Sequence, residues 1–135
     1  MASADAEAEL ASGARAHKIP LAAVRMAAAS TSQSLAETLL EMPANDDVAR
    51  EAVASAQRAF DHYSKRVKPG KDPMSDGNVV RATAYLGLAL KAAGSSTDDR
   101  LMLEAARDAY RRANETTPLG DFERKLSERL ERELK

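Results

Sequence analysis

The residue types able to do chemistry are few in this chain. Asp61, His62 and Tyr63 are the one place where an acid, a base and a hydroxyl adjoin. On a helix consecutive side chains point about 100° apart, so these three diverge and cannot act together without groups from elsewhere. Arg58 shares a face with His62, but general acid–base work needs groups that converge in a pocket. Glu37 and Glu41 lie one helical turn apart and can both reach toward a metal ion, yet no Glu-x-x-His pattern of the kind used by di-iron bundles accompanies them. His17 reads as a terminal polar residue. The absence of cysteine removes thiolate catalysis, disulfides and Cys-based zinc sites together. The expectation is a protein that is not an enzyme and holds no metal or cofactor.

Polyanion binding is the second chemistry to weigh. A formal net charge of −1 and a pI near 6.1 give no global reason to collect on nucleic acid or an anionic membrane. The charge is uneven, however, at −4 over residues 1–47, +4 over 48–97 and −1 over 98–135. Arg58, Lys65, Arg66, Lys68 and Lys71 surround a Gly/Pro loop, and Arg107, Arg111 and Arg112 add to them if the fold brings them close. No helix-turn-helix glycine turn or aromatic-interleaved basic strand is visible, and cations near a helix C-terminus also favour its dipole. A small helical nucleic-acid-binding or regulatory protein using residues 58–71 is therefore the alternative reading.

The elements that position these residues follow from composition. Of 59 apolar residues among 135, 28 are alanine and 14 leucine, against 6 valines, 1 isoleucine and no tryptophan. Residues that suit pleated sheets are scarce and strong helix formers abound, so the fold class is all-α. A length of 135 residues suits a single domain. Its core is thin, which favours close helix contacts, docking of partners and self-association. No stretch approaches a membrane span, and Met1 to Leu10 alternates alanine with acids, unlike a signal peptide. A cytoplasmic location is expected.

Residues 1–18 read as a loosely attached N-terminal helix capped by Ser3. A first hairpin spans 20–69. In it the Ser30-Thr31-Ser32 cluster interrupts one helical run, Ser34 with Glu37 restarts it as a capping box, and Pro43 ends it. Asn45 caps a long second helix with Asp46 and Asp47 in its first turn. Pro69, Gly70, Pro73 and Gly77 mark residues 68–77 as the dividing loop. The second hairpin spans 76–118, with Gly94 stopping one helix, Ser96 and Asp99 starting a helix from 98 to 115, and Pro118 closing it. Over 120–135, Phe122, Leu126, Leu130 and Leu134 recur every four residues, as expected of an amphipathic helix that caps the core.

Residues 83–118 resemble a tetratricopeptide repeat, with Leu86-Gly87 and Leu90 on a first helix, then Ala106, Tyr110 and Ala113, and Pro118 after the second. The insertion between Gly87 and Ala106 is about seven residues longer than the motif has, and Thr83 replaces its large first-helix residue. Leu35-Ala36 with Leu39, then Ala56, Phe60, Tyr63 and Pro69, echo the same order. The resemblance implies antiparallel hairpins stacked as a short solenoid or bundle, in which small residues allow close helix contact and the aromatic fills the gap. It also implies that the first helix of each hairpin lines a groove. The groove residues are then Gln33, Glu37 and Glu41 in one hairpin and Arg81, Tyr85, Leu88 and Lys91 in the other, a mixed polar surface suited to a peptide or partner helix. The function expected on that basis is a protein–protein interaction module, adaptor or chaperone-like.

Overall fold

The computed structural model describes residues 21–43, 45–94 and 98–135, with side chains described from residue 28 onward except at residue 98. The expected N-terminal helix over 1–18, His17 and Ser96 lie outside the described residues. Among the described residues every regular element is helical: α1 (Leu21–Glu41), α2 (Asp46–Lys65), a short 3-10 turn (Pro73–Ser75), α3 (Gly77–Ala92), α4 (Asp98–Thr116) and α5 (Asp121–Glu133). None of these helices is long and apolar enough to cross a membrane.

Local chemistry fixes the helix ends. The Asn45 side chain accepts from the Val48 amide at 2.9 Å, relieving one of the four orphan donors at the start of α2. Asp76 does the same for α3, accepting from the amides of Asn78 at 2.9 Å and Val79 at 3.2 Å. Gly94, at φ +85°, follows the end of α3 in the left-handed conformation that glycine adopts without a Cβ penalty. Between α4 and α5 the Asn114 side chain accepts from the Leu119 amide at 3.2 Å, which shapes the turn at Pro118.

One sequence expectation fails in α1, which runs unbroken through Ser30, Thr31 and Ser32 with no restart at Ser34. Ser32 is buried. Hydroxyl side chains weaken a helix by competing for its backbone, but that preference is small beside the packing gained along the whole of α1.

Each helix packs on the next in sequence, and α1 also reaches α3. Alanine makes this possible. Ala29, Ala59 and Ala82 meet with Tyr63 and Val79 in one cluster, while Ala36, Ala52, Ala56 and Ala89 meet with Leu86 in another. Along α1 and α3 the alanines ascend by seven, from 29 to 36 and from 82 to 89. In α2 the order reverses, from 59 to 52, so α1 and α3 run parallel with α2 antiparallel to both. Two alanine layers thus tie three helices together, side chains so small that backbones approach closely.

The central element is α3. Ten of its sixteen residues are buried, which its nearly continuous apolar run from Val79 to Leu90 anticipates. Its second face packs on α4 through Gly87, where a Cβ would lie 3.0 Å from the Leu103 side chain and 3.2 Å from its backbone nitrogen. Ala106, one turn along α4, is fully buried, and Tyr110 one turn further is buried in the cluster that Ala84, Tyr85 and Leu103 share. Of the small residues expected to pack, Ala113 departs, being exposed near the end of α4.

Candidate partner-binding groove

Residues Arg81, Tyr85, Leu88 and Lys91 recur at intervals of four, three and three along α3, which places them on one side of that helix. Glu37 and Glu41 occupy one side of α1 in the same way, and the parallel packing of the two helices sets these sides next to each other. Arg81 bridges them, its Nε and Nη2 donating to Glu37 Oε2 at 3.0 and 2.5 Å. With side chains 38% and 21% exposed this pair is partly screened, and its main effect is to fix both groups in place.

The groove expected to lie open is filled by the chain itself. Leu126 and Leu130 of α5, with Leu134 at its C-terminal cap, are buried in one cluster with Val80, Ala84, Tyr85 and Leu88 of α3 and Leu103, Ala106 and Tyr110 of α4. Polar contacts flank this apolar seam at both ends. The Phe122 ring lies over the Arg81 guanidinium, 4.0 Å from ring centre to Cζ. Lys91 Nζ donates to the Glu133 carboxylate at 2.6 Å and to its carbonyl at 2.9 Å, which also relieves a C-terminal orphan acceptor. Arg129 Nη1 donates to Glu41 at 3.2 Å, and Arg111 of α4 forms two bonds with Glu131, at 2.9 and 2.6 Å.

The structure places the seven residues expected to face a partner as follows. Glu37, Glu41, Arg81 and Lys91 lie where the helix register put them, but each has a partner inside the chain. Tyr85 and Leu88 are buried under α5 instead of being open. Gln33 is 4% exposed, and its amide has no hydrogen-bond partner among the described residues. Sequence reasoning missed the occupant, whose signal was present: the four-residue leucine repeat of α5 carries Arg129 and Glu133, also four apart, as charges that complement Glu41 and Lys91.

The other candidates do not converge. Asp61 is exposed and accepts from Gln57 Nε2 at 2.9 Å, whereas Tyr63 is buried, with the His62 ring edge-on to it at 5.6 Å. Arg107 and Arg111 are held by Asp108 and Glu131. Lys65, Arg66, Lys68 and Lys71 are exposed and have no ion-pair partner among the described residues.

Three tyrosines feel the charges of Arg81 and Glu37. Burial pushes the Tyr85 hydroxyl up to about 12, with Glu37 adding to the rise and Arg81 opposing it. Burial raises Tyr110 further, helped by Glu123, and raises Tyr63 as well. The folded chain therefore holds its phenolic protons more tightly than the unfolded chain, whose tyrosines titrate near 10. The resulting stabilisation is complete below about pH 10 and is lost as pH rises toward 12. In an alkaline titration, tyrosinate absorbance is expected to rise in step with loss of helical circular dichroism. Ionisation of all three tyrosines near pH 10 in a chain that stays helical would contradict this environment.

Comparison of the chain with protein families, with curated proteins and with solved structures gave no match.

Proposed function

We propose that the protein is a non-enzymatic helix-binding module, an adaptor or chaperone-like protein of tetratricopeptide-like build, whose groove is held in the resting chain by α5. The observation that carries this reading is the way α5 lies in the groove. An amphipathic helix with leucines every four residues buries its stripe in one cluster with Val80, Ala84, Tyr85 and Leu88 of α3 and Leu103, Ala106 and Tyr110 of α4, while Glu41 and Lys91 take its charges. Helix-in-groove recognition uses the same features, apolar anchors at helical spacing with flanking charge pairs. The repeat-like reading is supported by the matched burial of Ala36 with Gly87 and of Ala56 with Ala106 in the two hairpins. A partner helix of similar pattern, including α5 of a second copy, competes for this surface. The proposal sets the module in the cytoplasm, in keeping with a chain free of cysteine.

Reversing two of the polar contacts tests this directly. In Lys91→Glu/Arg129→Glu, like charges face one another at both Glu133 and Glu41, so α5 docks less well while the apolar floor is intact. A fluorescent peptide of residues 119–135 that keeps Arg129 and carries Glu133→Lys, so that both positions complement the acidic groove side chains at 41 and 91, is expected to bind this variant about tenfold more tightly than wild type. Equal affinity for the two proteins, or no binding to either, would reject the groove. A second reading, polyanion binding, rests on the unpaired Lys65, Arg66, Lys68 and Lys71, and it requires association that weakens steeply with salt.

A further inference from the structure

A cleft of about 410 Å³ opens at the N-terminal end of α3, lined by Asp76, Gly77, Asn78, Arg81, Tyr110 and Glu123. It is separate from the leucine seam and stands whether or not the groove binds partner helices. We propose that this cleft binds an organic monocation, a primary ammonium or a guanidinium, between the carboxylates of Asp76 and Glu123 with the Tyr110 hydroxyl oxygen as a further acceptor.

Charge decides the sign of the ligand. Arg81 is the one cation in the lining, and Glu37 already neutralises it through two hydrogen bonds while Phe122 covers its face. Asp76 and Glu123 are left with no cationic partner among the described residues, so the cleft carries an excess of two negative charges. An anion gains nothing from the helix N-terminus, because Asp76 Oδ1 already accepts from the Asn78 and Val79 amides. The second Asp76 oxygen is left for a ligand.

Tyr110 points to the same ligand independently. It is 5% exposed, yet its hydroxyl has no hydrogen-bond partner among the described residues and lines the cleft. The ring is packed in the core while the hydroxyl keeps contact with solvent, so its oxygen is open to a donor from a ligand. Glu123 lines the same cleft, and after burial its charge helps to keep this hydroxyl protonated. A neutral phenol beside two carboxylates accepts readily from an N–H donor. A hard metal ion fits less well: it takes about six or more oxygens at close range, and no group of three or more acidic, His or Cys side chains able to hold one occurs among the described residues. Because Asp76 caps α3 and Glu123 belongs to α5, a bound cation also joins these two elements.

The test is amide chemical-shift titration of the intact, isotope-labelled chain with n-butylammonium chloride, with sodium butyrate and n-butanol as controls. A blocked Gly-Lys-Gly peptide separates a free amine from a lysine side chain of a polypeptide. We expect saturable shifts at Asn78, Tyr110 and Glu123 with at least one cation, in the millimolar range, and none with the controls. Binding of the peptide alone assigns the cleft to a polypeptide side chain; binding of butylammonium shows that the free amine suffices. Glu123→Gln and Asp76→Asn, which keeps a capping side chain, are each expected to weaken binding about tenfold. Tyr110→Phe should weaken it less while leaving the thermal midpoint unchanged, since the hydroxyl it deletes bonds nothing in the fold. The proposal is overturned if neither cation moves these amides at up to about 50 mM, if butyrate moves them equally, or if neither carboxylate variant changes the affinity.

Discussion

Leu130→Ala is expected to lower the unfolding free energy by about 3 kcal/mol. Leu130 is fully buried at the middle of the α5 stripe, within the cluster formed by Val80, Ala84, Tyr85 and Leu88 of α3 and Leu103, Ala106 and Tyr110 of α4. Truncation to alanine removes its contacts with both helices and leaves a cavity that surrounding residues, themselves closely packed, fill only in part. For a domain of this length the loss corresponds to a fall of roughly 10 °C in thermal midpoint. Urea denaturation followed by circular dichroism measures it. A cost below about 1 kcal/mol would mean that α5 is not seated in the groove.

Substitution at Gly87 is expected to cost about as much for the opposite reason. A Cβ there meets the Leu103 side chain at 3.0 Å and its backbone nitrogen at 3.2 Å, and Leu103 is itself almost fully buried. Replacing a helical glycine gains up to about 1 kcal/mol of helix propensity. Overpacking against a backbone atom that cannot rotate away outweighs that gain, so Gly87→Ala is expected to be net destabilising by about 1 kcal/mol and Gly87→Leu by about 3 kcal/mol. Gly77→Ala is the control, because a Cβ at that position meets nothing within 4 Å. If Gly87→Leu proved neutral, α3 and α4 would not approach as described.

What the sequence could disclose was local. The Asn45 cap, the glycine beyond α3 and the apolar character of α3 follow from side chains within a turn or two of each other, or from a run along one helix, whereas the packing of Tyr110 was expected only from the repeat resemblance. The continuity of α1 did not follow, because the preference of Ser30, Thr31 and Ser32 for other conformations is visible in the chain, while the alanine layers that overrule it are assembled from three helices. The groove was legible by half. Helix register grouped Glu37 with Glu41 and Arg81 with Tyr85, Leu88 and Lys91, and only the repeat resemblance set the two groups side by side. Whether those faces stay open depends on the direction in which α5 leaves the turn at Pro118. That direction is set by contacts such as Asn114 to Leu119 and Arg111 to Glu131, between residues 5 and 20 positions apart.

The central claim is that α5 is an occupant of the groove and not an inseparable part of the core. Its stripe is narrow and its flanking ion pairs are largely exposed, so it is held less firmly than α3, which is buried on nearly all sides. Native-state hydrogen exchange of wild type and Leu130→Ala measures this most directly. The account predicts that the amides of Leu126 and Leu130 in wild type open at lower free energy than those of Leu86 and Ala89, and that Leu130→Ala removes protection from α5 while much of that in α3 and α4 persists. Exchange of α5 only through global unfolding, with a uniform loss of protection in the variant, would contradict it.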